Sequence, residues 1–103
     1  MIEITLLFKN EIIKGFEITG HADYDEYGKD IVCAAVSVLA YTTVNSLDSY
    51  NINFEFSDDD DLMKLISEDN SLELDVILNT FKTGILTLEQ SYRDFVKTYS
   101  KEI

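Results

Sequence analysis

The sequence predicts an α+β fold in the order β-β-α-β-β-α, a small sheet with a central apolar helix and a long C-terminal helix. Three observations carry it. Apolar and polar residues alternate up to Thr19, the spacing changes to three and four residues from Ile31, and that spacing returns over the C-terminal third.

Ile2, Ile4, Leu6 and Phe8 alternate with Glu3, Thr5 and Lys9, as a strand with one buried face does. A short turn at Lys9, Asn10 and Glu11 leads into a second strand with Ile12, Phe16 and Ile18 on one face, so the pair reads as an antiparallel hairpin. Gly20 and His21 then stand where the chain leaves the sheet. Asp30 is a good N-cap for a helix running from Ile31 to about Tyr50. Its stripe of Val32, Ala35, Val36, Leu39, Thr43 and Leu47 faces a second apolar side of Ile31, Ala34, Val38, Tyr41 and Val44. A helix apolar all round is expected to be buried on more than one side.

Residues 51–57 alternate again through Ile52, Phe54 and Phe56, and 62–67 reads as a fourth strand. The aspartates 58–61 between them read as a solvated turn, since an EF-hand loop would need a glycine and a distal glutamate. Leu74, Ile77, Leu78, Phe81, Ile85, Leu88, Tyr92, Phe95 and Tyr99 keep helical spacing, which predicts one long helix from about Ser71 to Ser100. Gly84 is a weak point in it, costing about 1 kcal/mol against alanine.

With 103 residues, 46% hydrophobic and 27% charged, the chain has room for one globular domain over 1–103. The N-terminal stretch lacks the basic residues and the apolar length of a secretory signal. The apolar segment from Ile31 to Leu47, broken by Ser, Thr and Asn, is expected to fall short of a membrane span. A single cysteine cannot close an internal disulfide and agrees with a reducing compartment, so the expectation is cytoplasmic with no membrane. The net charge of −12 argues against a direct nucleic-acid partner and favours either simple solubility or a basic protein or peptide. The charge is uneven: Glu55 to Asp75 holds nine acidic residues and one lysine, Lys64. Apolar surface left on the sheet or the long helix would favour a homodimer.

The only histidine, His21, and the only cysteine, Cys33, lie in one stretch, GHADYDEYGKDIVCAAVS. Placed in the first turn of a helix, the Cys33 sulfur would meet the positive end of the helix dipole, which favours thiolate over thiol. The intervening loop is long enough to fold His21 back over the helix start, and an imidazolium there would favour the thiolate further. Asp30 is the first candidate to orient the imidazole, with helix capping as its competing role. Ser37 lies one turn after Cys33, within reach of the sulfur. Backbone N–H groups of the first turn would receive an oxyanion, and the small Ala34 and Ala35 would let a second backbone come close. From pattern alone, a single cysteine on an apolar helix is usually a packed core thiol, and a lone histidine a surface or structural residue. One His and one Cys fall short of a zinc site, and no metal or cofactor is expected.

The same stretch resembles the defining motif of the ribosomal processing cysteine protease family, called Prp. Gly20, His21, Ala22, Gly28, Asp30, Ile31, Val32, Cys33, Ala34, Ala35, Val36 and Ser37 carry the resemblance. It implies a cysteine endopeptidase that removes the N-terminal extension of a bacterial large-subunit ribosomal protein, cutting after an aromatic, apolar segment. Cys33 would be the nucleophile and His21 the general base, with Asp30 and Ser37 assisting. Gly20, Ala22, Tyr24, Tyr27, Gly28 and Ala34 would bind the peptide, and residues Asp23 to Lys29 would close over it. The resemblance also implies a homodimer, and an acidic surface suits a basic ribosomal protein. The competing class is a non-enzymatic, acidic ribosome-assembly or partner-binding dimer whose Cys33 is packed.

Overall fold

The structure is a computed structural model that describes residues 1–20, 29–59 and 61–103, with Lys29 and Asp30 described by their backbone. The elements are β1 (Ile2–Lys9), β2 (Ile12–Thr19), α1 (Lys29–Ser49), β3 (Glu55–Asp58), β4 (Leu62–Ile66), α2 (Leu72–Ser91) and β5 (Val96–Glu102). The strands form one sheet in the order β3-β4-β2-β1-β5. The α+β class and the order of the first six elements follow the sequence reading, while the third strand, expected over 51–57, spans only Glu55–Asp58. The last strand does not.

β1 and β2 pair antiparallel around Asn10 and Glu11, both at positive φ (52° and 68°), the conformation a tight hairpin turn demands. Opposite Leu7 and Phe8 the register jumps from Gly15 to Ile13, leaving Lys14 as the extra residue of a β-bulge. The bulge corrects the expected inner face. Ile13 joins Phe16 and Ile18 in the core, and Ile12 is exposed. Gly15 is required there, because a Cβ would stand 2.0 Å from the Leu65 carbonyl oxygen of β4.

The core lies between the sheet and the two helices. Ile2, Ile4, Phe16, Ile18, Met63 and Leu65 of the sheet meet Val32, Val36, Ala40 and Leu47 of α1 and Leu74, Leu78, Phe81 and Ile85 of α2. Phe16 and Phe81 stack with ring centroids 4.1 Å apart. The opposite sheet face carries the Glu17–Lys64 ion pair, 3.7 Å apart.

α1 is buried on one side only, contrary to expectation. Val32, Val36, Ala40, Thr43 and Leu47 face inward, while Ile31, Ala34, Val38 and Tyr41 are exposed. Both the sheet and α2 lie on the same side of this helix, and no described element covers the other. Over Ile31–Ser49 the mean hydropathy reaches 1.4, long and apolar enough to cross a membrane, which corrects the expectation of too short a span. Here the segment serves as a helix layer of the folded core. Past Ser49 the chain turns at Asn51, where φ is +58° and the Ile52 and Asn51 amides bond back to the Leu47 and Asp48 carbonyls, both at 3.0 Å.

The Ser71 hydroxyl accepts from the Leu74 amide at 3.2 Å and starts α2. The expected helix to Ser100 stops at Ser91. Phe95 and Val96 donate to the Tyr92 carbonyl, and the chain turns into β5, parallel to β1 from Ile2↔Val96 to Phe8↔Glu102. Continuing the helix would have left β1 as a bare edge. Pairing satisfies that whole row, and the long-range partner overrides the local spacing.

Candidate functional site

The site begins where β2 ends. Gly20 has φ +83°, and a Cβ on it would stand 2.1 Å from the Met1 carbonyl oxygen. Only glycine meets both demands, so this residue fixes the direction in which the chain leaves toward His21.

α1 brings the thiol. The helix begins at Lys29, so Asp30 is its second residue and not the cap before it, and Cys33 is the fifth. That overturns the N-cap reading and moves Cys33 just past the first turn. The side chain still leans back over that turn, because Cα–Cβ bonds on a helix tilt toward its N-terminus. The amides of the first four helical residues have no partner within a helix. Cys33 is free and half-buried, packed against the core at the boundary between the inner face and solvent. It is neither sealed in nor fully open.

Ser37 follows one turn on, exposed, and among the described residues no hydrogen bond joins it to Cys33. Ala34 is exposed and Ala35 half-buried beside the thiol. The remaining expected site residues, His21, Ala22, Tyr24, Tyr27 and Gly28, lie outside the described residues, as does the loop expected to close over a peptide, except for Lys29, which opens α1. Nothing is described of the Asp30 side chain. Among the described residues, Cys33, Ala34 and Ser37 share the N-terminal half of α1, and Gly20 follows the end of β2.

Two further residues, Tyr41 of α1 and Asp58 of β3, are joined by a contact that the sequence reading missed. Tyr41 continues the ridge Cys33–Ser37–Tyr41 at steps of four, and its hydroxyl donates to the Asp58 carboxylate. Its ring meets Phe56 edge-on, with centroids 5.7 Å apart and planes at 77°. That hydrogen bond, followed by desolvation and the Asp58 charge, raises the Tyr41 phenol above its usual 10.0. The row Ile18↔Met63↔Asp58 places Asp58 two strands from β2, at the same end of the sheet as Gly20. Within the turn Asp59 accepts from the Leu62 amide at 3.0 Å, which ties down part of the aspartate run as the sequence suggested. Strand pairing brings Asp58 to Tyr41, so nothing in the linear sequence announced the link.

The family model described as cysteine protease Prp matches residues 1–97. A ribosomal processing cysteine protease Prp of Staphylococcus aureus is 34% identical over 82 residues, covering 76% of this chain and 77% of its own length. A Bacillus subtilis protein of that name is 46% identical over 35 residues, covering 34% of this chain and 31% of its own. The crystal structure of an essential ribosomal processing protease Prp from S. aureus with a substrate peptide superposes with a TM-score of 0.91 at 28% identity, covering 98% of this chain and 100% of that one. A Streptococcus mutans structure gives 0.83 at 30% identity, covering 100% and 96%.

Proposed function

This chain belongs to the cysteine protease Prp family, and from that premise we propose that it removes the N-terminal extension of a bacterial large-subunit ribosomal protein with Cys33 as nucleophile and His21 as general base. The observation that carries the reading is Cys33 itself: the chain's one thiol, half-buried at the solvent boundary, on the helix-start motif of a family of cysteine proteases. A relative seated on a substrate peptide with the same fold supports a peptide ligand.

In this mechanism His21 takes the Cys33 proton and the thiolate attacks the scissile carbonyl. Amide N–H groups at the start of α1 receive the charge that develops on the carbonyl oxygen. His21 then protonates the leaving amine, and water hydrolyses the acyl-enzyme. Asp30 orients the imidazole and Ser37 lends a hydroxyl near the sulfur. Gly20, Ala22, Tyr24, Tyr27, Gly28 and Ala34 bound the peptide, and a single domain over 1–103 carries the activity. Two copies pair, for which Leu72, Val76 and Leu86, exposed on α2, offer apolar area. The enzyme acts in the cytoplasm, where ribosomal precursors are made.

The test is incubation with the extended ribosomal protein and mass measurement of the product. Wild type shortens it, and a folded Cys33→Ala variant does not; cleavage by that variant would overturn the assignment. Asp30→Asn is expected to lower the rate with an unchanged melting temperature.

A further inference from the structure

The exposed ridge of α1 does not end at the thiol. From Cys33 to Tyr41 it rises about 12 Å, at 1.5 Å per residue, and an extended peptide covers that in about four residues. Ala34, Ser37 and Val38 line the way, all exposed, with Val38 at 64%. At the far end the Tyr41 ring is 40% exposed, held against Phe56, with its hydroxyl tied to Asp58. β3 is the edge of the sheet among the described residues.

We propose that Tyr41, with Asp58 behind it, is a specificity-determining residue of the protease: it seats a lysine or arginine of the substrate about four residues from the scissile bond, after an apolar side chain has passed over Ala34 and Val38. This rests on the reading of Cys33 as nucleophile. The chemistry of the pair selects the occupant. A long cationic side chain lays its aliphatic stem on an apolar or aromatic surface and keeps its charged head at a carboxylate. Tyr41 supplies the surface and Asp58 the carboxylate, fixed to each other by a hydrogen bond. The surrounding charge points the same way, with nine acidic residues and one lysine from Glu55 to Asp75. A second copy of this chain would bring the same negative field against it, which disfavours self-association over this face.

Binding is measured by fluorescence anisotropy on Cys33→Ala protein. The probe is a labelled peptide spanning the extension and the first residues of the mature ribosomal protein. A second peptide has glutamine at every lysine and arginine. The basic peptide is expected to bind about threefold to fivefold more tightly, the range of an exposed ion pair. Asp58→Asn removes that preference, and Asp58→Lys inverts it toward a peptide carrying glutamate at those positions. Tyr41→Phe keeps the ring and most of the affinity, while Tyr41→Ala loses it at a melting temperature checked separately. A substrate preference that survives Asp58→Lys, or equal affinity for both peptides, overturns the inference. Absence of cleavage by active protein would instead overturn the assigned reaction, so the two failures are distinct.

Discussion

Gly20 presses its α-carbon against the Met1 carbonyl so closely that a Cβ would stand 2.1 Å from the oxygen, at a φ of +83°. A methyl group meets backbone on both counts, and backbone at a strand end cannot step aside as a side chain can. Gly20→Ala is expected to cost about 2 kcal/mol of stability. It should also cost far more activity than that loss explains, because His21 is the next residue. Urea denaturation beside cleavage rates measures both. A fully active, equally stable variant would contradict the assignment.

The dyad makes a prediction that needs no substrate. Iodoacetamide should alkylate wild-type Cys33 faster than it alkylates the same thiol in a His21→Gln variant at neutral pH, since a neighbouring base draws off the thiol proton. Mass spectrometry of the single thiol follows the reaction, and equal rates for the two proteins would remove His21 from the mechanism.

Gly84 sits where α2 meets α1, and a Cβ there would come within 2.8 Å of Leu39 Cδ2. The close atom is the tip of a half-buried side chain, and beside it lies a cavity of about 110 Å³ lined in part by Leu39 and Phe81. Gly84→Ala should therefore be near neutral, the helix-propensity gain of about 1 kcal/mol offsetting the displaced leucine. Gly84→Leu overfills the contact and should lose about 1–3 kcal/mol. Thermal unfolding distinguishes the two, and equal effects would mean that the helices are not in contact there.

Lys14, on the bulge and 7% exposed, donates to the Asp69 carbonyl at 2.7 Å and to Asn70 Oδ1 at 3.2 Å, anchoring the turn before α2. Lys14→Ala leaves those acceptors without their cation and should cost about 2 kcal/mol. Lys14→Met keeps the stem and should recover part of it, as read from denaturant midpoints.

The same turn sets an acid response. Hydrogen bonds from Ser71, including its amide at 3.0 Å, hold the Asp69 carboxyl below 3.8, with the Lys14 charge adding to them. A carboxyl lowered in the folded state stabilises above its unfolded value and loses that contribution as pH falls through the folded one. The stability gap between wild type and Asp69→Asn should thus hold above about pH 5 and close below 3.8. A gap that widens in acid would reverse the sign.

What the sequence disclosed follows from what local spacing encodes. The hairpin, α1 and the start of α2 were legible because turn residues, alternation and helical periods act within a few residues. The bulge at Lys14 was hidden, since Ile12 and Ile13 are both apolar and only pairing with Leu7 and Phe8 decides which turns inward. Tyr92, Phe95 and Tyr99 keep helical spacing, yet Tyr92 and Phe95 lie in the turn and Tyr99 in the strand beside β1, and the partner that decided this lies at the other end of the chain. In the site, Cys33 and its motif could be read directly. The Tyr41–Asp58 link could not, because it depends on β4 pairing between β2 and β3.

That last strand has a consequence for how the molecule comes into being. β5 joins Ile2 to Val96, so the N-terminal strand waits for nearly the whole chain before its outer row of backbone groups is matched. Such distant pairings are slow to find and cannot form on a partly synthesised chain. The protease is thus born in one late step. A truncated product ending in α2 would keep the thiol and the motif, yet carry an open strand edge ready to capture another chain.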